Sequence, residues 1–255
     1  MLAAVRRAEI LEMLRHRRAI RSEEVAATLG VSVETVRRDL EHLDHAGELV
    51  RVHGGAVPVQ VAAASEPPFE ARTSLAAASK QAIGRLAAGL VQAARTVFLD
   101  VGTTAMQVAH SISGDAHATV ITPSFRVAEI LVQHPTITVM VPGGIVRNGD
   151  LAISGATAVD FLQDISPDVA LLGSGGLTAE RGLTDFELAE MPLKRVALHN
   201  SARAYVLADS TKIGVVAPYR VCGLAELTGV VTDAEISPAY QENLTAAGLE
   251  VLTAD

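Results

Sequence analysis

From about residue 80 to residue 235 the chain alternates between short apolar runs and stretches with helical spacing, and few folds accommodate that alternation. Residues 97–99, 119–121, 136–141, 169–172, 205–208 and 229–232 read as strands. Residues 80–94, 104–112, 125–133, 156–162 and 188–202 read as helices, the first placing Ile83, Leu86, Ala87, Leu90 and Val91 on one face. Strands that take turns with helices return to the sheet through crossovers, so the sheet is expected to be largely parallel and covered on both faces. The composition suits such packing. Hydrophobic residues make up 49 % of the chain and aromatics only 3 %, with no Trp, which leaves a core of Ala, Val, Leu and Ile.

The first sixty residues follow another pattern. Val5, Ile10, Leu11 and Leu14 have helical spacing within residues 4–17. Ser22 followed by Glu23 and Glu24 predicts an N-cap with acids in the first turn. That short helix is expected to bury Val25 and Leu29 and to end at Gly30. Ser32 is read as the cap of a third helix reaching about His45, which Gly47 closes. Two β-like runs, 49–52 and 56–59, joined by His53-Gly54-Gly55, then predict a hairpin. Three helices, the last two separated by a tight glycine turn, followed by a hairpin, describe a winged helix-turn-helix. Pro58, Pro67 and Pro68 with small residues between them mark a linker. The expected division is a DNA-binding domain at 1–58, a linker at 59–74 and an α/β domain at 75–255.

The net charge of −8 argues against a nucleic-acid partner until it is divided. Residues 1–58 hold nine Arg, no Lys and nine acids, so the remainder carries the whole excess. Arginine supplies the planar, bidentate donors that phosphate and guanine accept. In the third helix Val36, Leu40 and Leu43 share one face, while Arg38, Glu34, Glu41 and His45 lie opposite, flanked by Thr35 and Arg37. A helix in the major groove reads bases mainly from its N-terminal half. Arg38 is therefore assigned to base edges, and Arg37 and Thr35 to phosphates. Ser22, Ser32, Val33, Glu34, Arg51 and His53 complete the candidate DNA-binding set. The expected partner is double-stranded operator DNA, and two-fold operators call for a homodimer or homotetramer.

The single cysteine, Cys222, excludes an intrachain disulfide, the first residues lack the apolar stretch of a signal peptide, and no run of 18 apolar residues occurs. A cytoplasmic protein is expected. In the second domain Asp100-Val101-Gly102-Thr103-Thr104 sits where a strand turns into a helix, and glycine, hydroxyls and free helix-start amides suit a phosphate. Loops at 122–124, 142–144, 173–176 and 208–212 also follow strands and are expected to gather at the same rim. They contribute the candidates Ser124, Gly143, Gly144, Gly173, Asp209 and Lys212, the last as the charge that meets a phosphate.

Residues Glu24-Val25-Ala26, Val31-Ser32, Thr35-Val36-Arg37-Arg38-Asp39-Leu40, Leu43, Gly47 and Arg51-Val52-His53-Gly54-Gly55-Ala56 resemble the DNA-binding signature of the DeoR family of bacterial regulators. Residues of roughly 75–235 resemble that family's sensor domain, which is similar in fold to ribose-5-phosphate isomerase. The resemblance implies a regulator, more often a repressor, of a carbohydrate uptake or catabolism operon that answers to a phosphorylated sugar or sugar-derived metabolite. It implies phosphate contacts at Gly102, Thr103 and Thr104, and further effector contacts near Gly143, Gly144, Lys194 and Asp209 through Lys212. Three positions depart from the family pattern: Val101 stands where a Ser is common, Pro123 where an Asn is, and Gly175 where an acid is.

The alternative is a sugar-phosphate isomerase-like enzyme on the same sheet. Aldose–ketose isomerisation needs a base beside the reacting carbons. The loop 173–176 carries no carboxylate, and Asp100 and Asp209 each follow a strand, where capping or orienting a loop is an ordinary role. There is no GxSxG and no Walker-type loop. No His, Cys and acid set with metal-ligand spacing is evident. The reading is therefore a regulator with no catalytic residues, cofactor or metal.

Overall fold

The computed structural model describes residues 2–15, 17, 20–46, 48–52, 54–57 and 66–255. Two compact units divide between Ser65 and Glu66.

In the N-terminal unit, helices α1 (Ala3–Arg15), α2 (Ser22–Leu29) and α3 (Val33–His45) combine with strands β1 (Ile20–Arg21), β2 (Val50–Val52) and β3 (Gly55–Val57). Ile10, Leu14, Ile20, Val25, Val36, Leu40, Leu43 and Leu49 form one buried cluster, so each helix contributes its apolar stripe. Gly30 ends α2 in the left-handed region at φ 64°, and its N–H donates to the carbonyl of Ala26. Ser32 caps α3, its Oγ accepting from the Thr35 N–H at 3.1 Å.

Two expectations change here. Ser22 does not cap α2: the N-cap is Arg21, and Ser22 is buried inside the first turn with its N–H donating to the Gly54 carbonyl at 2.8 Å. The wing is a three-stranded antiparallel sheet in the order β1-β3-β2, because Ile20 pairs with Ala56 on the side away from Arg51. Two residues are too few to show an alternating pattern, so β1 left no mark in the sequence. Gly47, His53 and Pro58–Val59 lie outside the described residues.

The C-terminal unit begins earlier than expected. Residues 66–74 belong to it, and Phe69–Ser74, read as linker, forms a helix (α4). It is followed by α5 (Ala77–Gln92), β4 (Thr96–Leu99), α6 (Thr103–Ser111), β5 (Ala118–Ile121), α7 (Phe125–Leu131) and β6 (Ile137–Met140). Next come the short β7 (Ile145–Val146) and β8 (Ile153–Ser154), then α8 (Ala156–Gln163) and β9 (Val169–Gly173). β10 (Gly176–Thr178) and β11 (Gly182–Asp185) precede a 3-10 turn at Leu188–Glu190 and α9 (Met191–Asn200). The chain ends through β12 (Arg203–Leu207), β13 (Tyr219–Cys222), β14 (Gly229–Asp233), α10 (Pro238–Ala246) and β15 (Glu250–Ala254). The expected helix 188–202 is thus a 3-10 turn followed by an α-helix. The sequence reading also missed β7, β8, β10, β11, β13, α10 and β15.

Seven strands form one sheet in the order β15-β14-β12-β9-β4-β5-β6, and every neighbouring pair is parallel. Side chains alternate across it. Val97 and Leu99 of β4 and Val169 and Leu171 of β9 join Ile83, Val108 and Val127 on one face. Phe98, Ala170 and Leu172 join Ala158, Leu162, Ala197 and Leu244 on the other. Helices α5, α6 and α7 cover the first face; α8, α9 and α10 cover the second.

Candidate functional site

The DNA-reading candidates sit on α3 and the wing. Val36, Leu40 and Leu43 are buried, which turns the opposite face outward. The Arg38 side chain is 78 % exposed and that of Arg37 59 %. Glu34, one turn earlier, stands 3.7 Å from Arg37 and 3.8 Å from Arg38. Such exposed pairs are worth only a few tenths of a kcal/mol, about 0.2–0.5, and yield readily to a phosphate or base. Thr35 and Val33 are half-buried, and the Thr35 hydroxyl lies 2.8 Å from that of Ser32, so these hydroxyls hold the helix start. Arg51 is exposed, with its guanidinium 3.8 Å from Glu41 and its N–H donating to Asp44. His53 lies outside the described residues. Sequence reasoning missed the partner of Asp39. Its buried carboxylate accepts from the guanidinium of Arg6, tying α1 to α3.

In the C-terminal unit, the loops after β4, β5, β6, β9 and β12 all leave the carboxyl edge of the sheet. β5 lies on one side of β4 and β9 on the other, so the strand order reverses there; a crevice for a ligand forms at such a point. Gly102 occupies it with φ 111°, and a Cβ at that position would meet no atom within 4 Å. Among the described residues no side chain caps the helix that starts at Thr103. The first-turn N–H groups of a helix lack intrahelical acceptors and carry its positive dipole end.

Other candidates are spoken for. The Asp100 carboxylate accepts from the Gly173 N–H at 2.9 Å and lies 2.7 Å from Lys194 Nζ, which also donates to Asp185 at 2.5 Å. Burial works to lower the Lys194 pKa, but Asp100, Asp185 and Glu190 outweigh it and hold the ammonium well above its ordinary value. Ser124 caps α7 through the Val127 N–H, and Asp209 accepts from the N–H and hydroxyl of Thr211. Gly144 and Gly173 serve close packing, since a Cβ would stand 2.4 Å from the Ser154 carbonyl oxygen in the first case and 2.9 Å from that of Val101 in the second. At Gly143 a Cβ would make only ordinary contact with Thr157. Gly102, Thr103, Thr104, Gly143 and the half-buried Lys212 remain as the candidates not engaged in a buried ion pair, a side-chain cap or close packing; Lys212 Nζ lies 5.8 Å from the Phe186 ring centroid.

Several charged residues that sequence reasoning passed over join this rim. Arg147 pairs with Asp150, with Glu187 at 2.6 Å and with Glu190 at 2.8 Å. Arg72 reaches Glu66 at 2.5 Å and Asp150 at 3.4 Å, so the start of the unit is tied to the same network. Buried Lys80 donates to the carbonyls of Arg72 and Leu75, both at 2.6 Å, and its pKa is lowered, chiefly by burial. Burial pushes the Glu190 carboxyl up to about 8; Asp100 and Asp185 add to the shift, and Lys194 and Arg147 oppose it. One signal was available: the chain has three lysines, and Lys80, Lys194 and Lys212 all act on carboxylates of this rim. Among the described residues no group of His, Cys, Asp and Glu is arranged to hold a metal, and no helix is long and apolar enough to cross a membrane.

Comparison with known proteins bears on both units. Residues 6–60 match the DeoR-like helix-turn-helix domain and residues 75–234 the DeoR C terminal sensor domain. The chain is 32 % identical over 253 residues to the HTH-type transcriptional regulator GolR of Listeria innocua, covering 98 % of each chain. It is 28 % identical to the glycerol-3-phosphate regulon repressor of Escherichia coli, over 92 % of this chain and 93 % of that one. Among solved structures, ribose 5-phosphate isomerase A of Methanocaldococcus jannaschii aligns over 52 % of this chain and 53 % of that one, with 17 % identity and a TM-score of 0.39.

Proposed function

The chain belongs to the DeoR family of DNA-binding transcriptional regulators, and from that premise we propose that it represses a carbohydrate uptake or catabolism operon and is released or engaged by a phosphorylated sugar or sugar-derived effector. The sensor-domain match implies a small-molecule effector in general. The phosphate is the finer reading, and one observation carries it: an uncapped helix start at Gly102-Thr103-Thr104, placed where the strand order reverses, with Lys212 on the loop after β12 at the same edge of the sheet. A relative named for the glycerol-3-phosphate regulon supports the same class. Operator binding uses Arg38 for base edges, Arg37 and Arg51 for phosphates, and two copies of the unit on a two-fold site, as a homodimer or homotetramer.

The test joins two measurements. A melting screen of sugar phosphates on the full chain identifies a ligand, because a ligand that binds only the folded state raises the melting temperature. DNA selected from a random duplex pool is then titrated with and without that ligand. Effector and DNA alter each other's affinity by one common factor, typically about 5- to 150-fold. The Thr103→Ala, Lys212→Ala double variant is expected to keep its DNA affinity and lose the response. A full response in that variant moves the phosphate elsewhere, and equal DNA affinity with and without ligand in the wild type ends the reading for that ligand.

A further inference from the structure

The charges at the carboxyl rim are unevenly paired. In its two ion-pair networks, Lys194 meets Asp100 and Asp185, and Arg72 and Arg147 meet Glu66, Asp150, Glu187 and Glu190. Three bases there face six carboxylates. Lys80 and Lys212, by contrast, have no carboxylate within ion-pair distance among the described residues; Lys80 is held by carbonyls and Lys212 lies against Phe186. The rim therefore has an acidic side centred on Glu190, while Lys212, which acts on Glu66 of that side, keeps no ion-pair partner among the described residues.

Glu190 adds an observation of a different kind. Its side chain is only 9 % exposed, yet its Oε1 accepts no hydrogen bond from any described residue. Arg147 Nη2 stands 2.8 Å from it without the alignment of a donor, and Arg147 is shared with Asp150 and Glu187. A buried carboxyl oxygen without a donor is costly, and burial together with the surrounding acids keeps this group largely protonated near neutral pH. A hydroxyl would supply a donor but no charge. A carboxylate or second phosphate on the ligand would add an anion to an acidic surplus.

We infer that the effector carries an amine at the end away from its phosphate, an ammonium received by Glu190 and its neighbouring carboxylates, so that the ligand class is a phosphorylated amino sugar or comparable phosphorylated amine. This rests on the phosphate reading of the Gly102–Thr104 loop. The ammonium provides both missing elements at once, a hydrogen-bond donor for Oε1 and a positive charge for the acidic side. Glu190 must be ionised to receive it. Because the free carboxyl titrates near 8, binding near pH 7 is accompanied by proton release.

The experiment pairs ligands that differ only in the amine: glucosamine 6-phosphate against glucose 6-phosphate, and galactosamine 6-phosphate against galactose 6-phosphate. Each is titrated calorimetrically into the full chain at pH 7 in two buffers of different ionisation enthalpy, and 6-phosphogluconate serves as the acidic counterpart. In at least one pair the amino compound is expected to bind tenfold tighter or better, with proton release absent from its hydroxyl partner, and 6-phosphogluconate is expected to bind weakest. Glu190→Gln is expected to abolish the preference while leaving the hydroxyl compound within about threefold. Equal or tighter binding of both hydroxyl compounds overturns the inference and leaves the phosphate reading standing, as does an amino preference that survives Glu190→Gln. Binding of none of these phosphates overturns both. If Glu190→Gln does not fold, the wild-type pairs and their proton release decide alone.

Discussion

Lys194 Nζ lies 2.7 Å from Asp100 Oδ2, and each side chain is 2 % exposed. The pair joins helix α9 to the loop after β4, which leads into the helix start proposed to hold a phosphate. Asp185 completes the triad from β11, and the Gly173 N–H fixes the Asp100 carboxylate from the β9 side. The loop after β4, the end of β9 and β11 thus meet on one ammonium.

Removing that ammonium leaves two buried carboxylates facing each other. Lys194→Met is expected to cost about 3–5 kcal/mol of stability, the usual penalty for breaking a buried pair from one side. Adding Asp100→Asn to it should recover part of the loss. Urea denaturation of the full chain, followed by circular dichroism, measures both; a Lys194→Met variant as stable as the wild type contradicts the triad's role.

Glu190 sets a pH dependence whose sign follows from its raised pKa. The folded carboxyl titrates near 8 against an ordinary 4.5, so between those values the folded state binds more protons than the unfolded one. Its contribution is intact below pH 4.5 and is lost as pH rises towards 8. Glu190→Gln, which cannot ionise, is expected to flatten the fall in stability between pH 5 and 8 and to be relatively more stable at the upper end. Melting temperatures of both proteins across that range give the comparison.

Gly55 is required by close approach. A Cβ there would stand 1.9 Å from the Ile20 carbonyl oxygen, across the β1–β3 pairing. Gly55→Ala is expected to separate β1 from the wing and to weaken DNA binding. Gly54→Ala is expected to act differently: its φ of 83° makes a side chain strained, but among the described residues no atom crowds it. Hydrogen exchange of residues 20–22, together with DNA affinity, distinguishes the two, since only Gly55→Ala should expose the Ile20–Ala56 pairing.

Arg38 and Arg37 are expected to separate by kind of effect. Arg38→Ala should cost roughly 1–3 kcal/mol of DNA binding and relax preference at one base pair. Arg37→Ala should weaken all sequences about equally and lower the slope of log affinity against log salt by about 0.9. Selection from a random duplex pool and a salt titration report the two. Unchanged affinity and specificity in the double variant would move the reading surface off α3.

The features legible in the sequence were those in which a residue's role depends on near neighbours. The 3.6-residue spacing of Val36, Leu40 and Leu43, the cap at Ser32 and the left-handed Gly30 are written within a few positions of one another, and the structure has them. The central strands β4, β5, β6, β9, β12 and β14 were legible because strands buried on both faces are unbroken apolar runs bounded by turn residues. The small strands were not, since β1, β7 and β8 are two residues long and exist only through their partners.

Ser22 shows where local reasoning stops. Its position before two glutamates is that of a cap, yet Gly54, thirty-two residues later, takes its N–H and draws it inside the fold. The same limit governs the rim. By itself the sequence determined two kinds of folding pattern, an outward arginine face on the third helix and a set of Gly- and Ser-bearing loops at strand ends. Only the tertiary structure decided that Lys194 is committed to Asp100 and Asp185, that Arg147 gathers Asp150, Glu187 and Glu190, and that Arg72 from the supposed linker reaches Asp150. The physical reason is range: helical period and capping act over one turn of chain, whereas ion pairing depends on strand order, which brings together charges up to 94 positions apart.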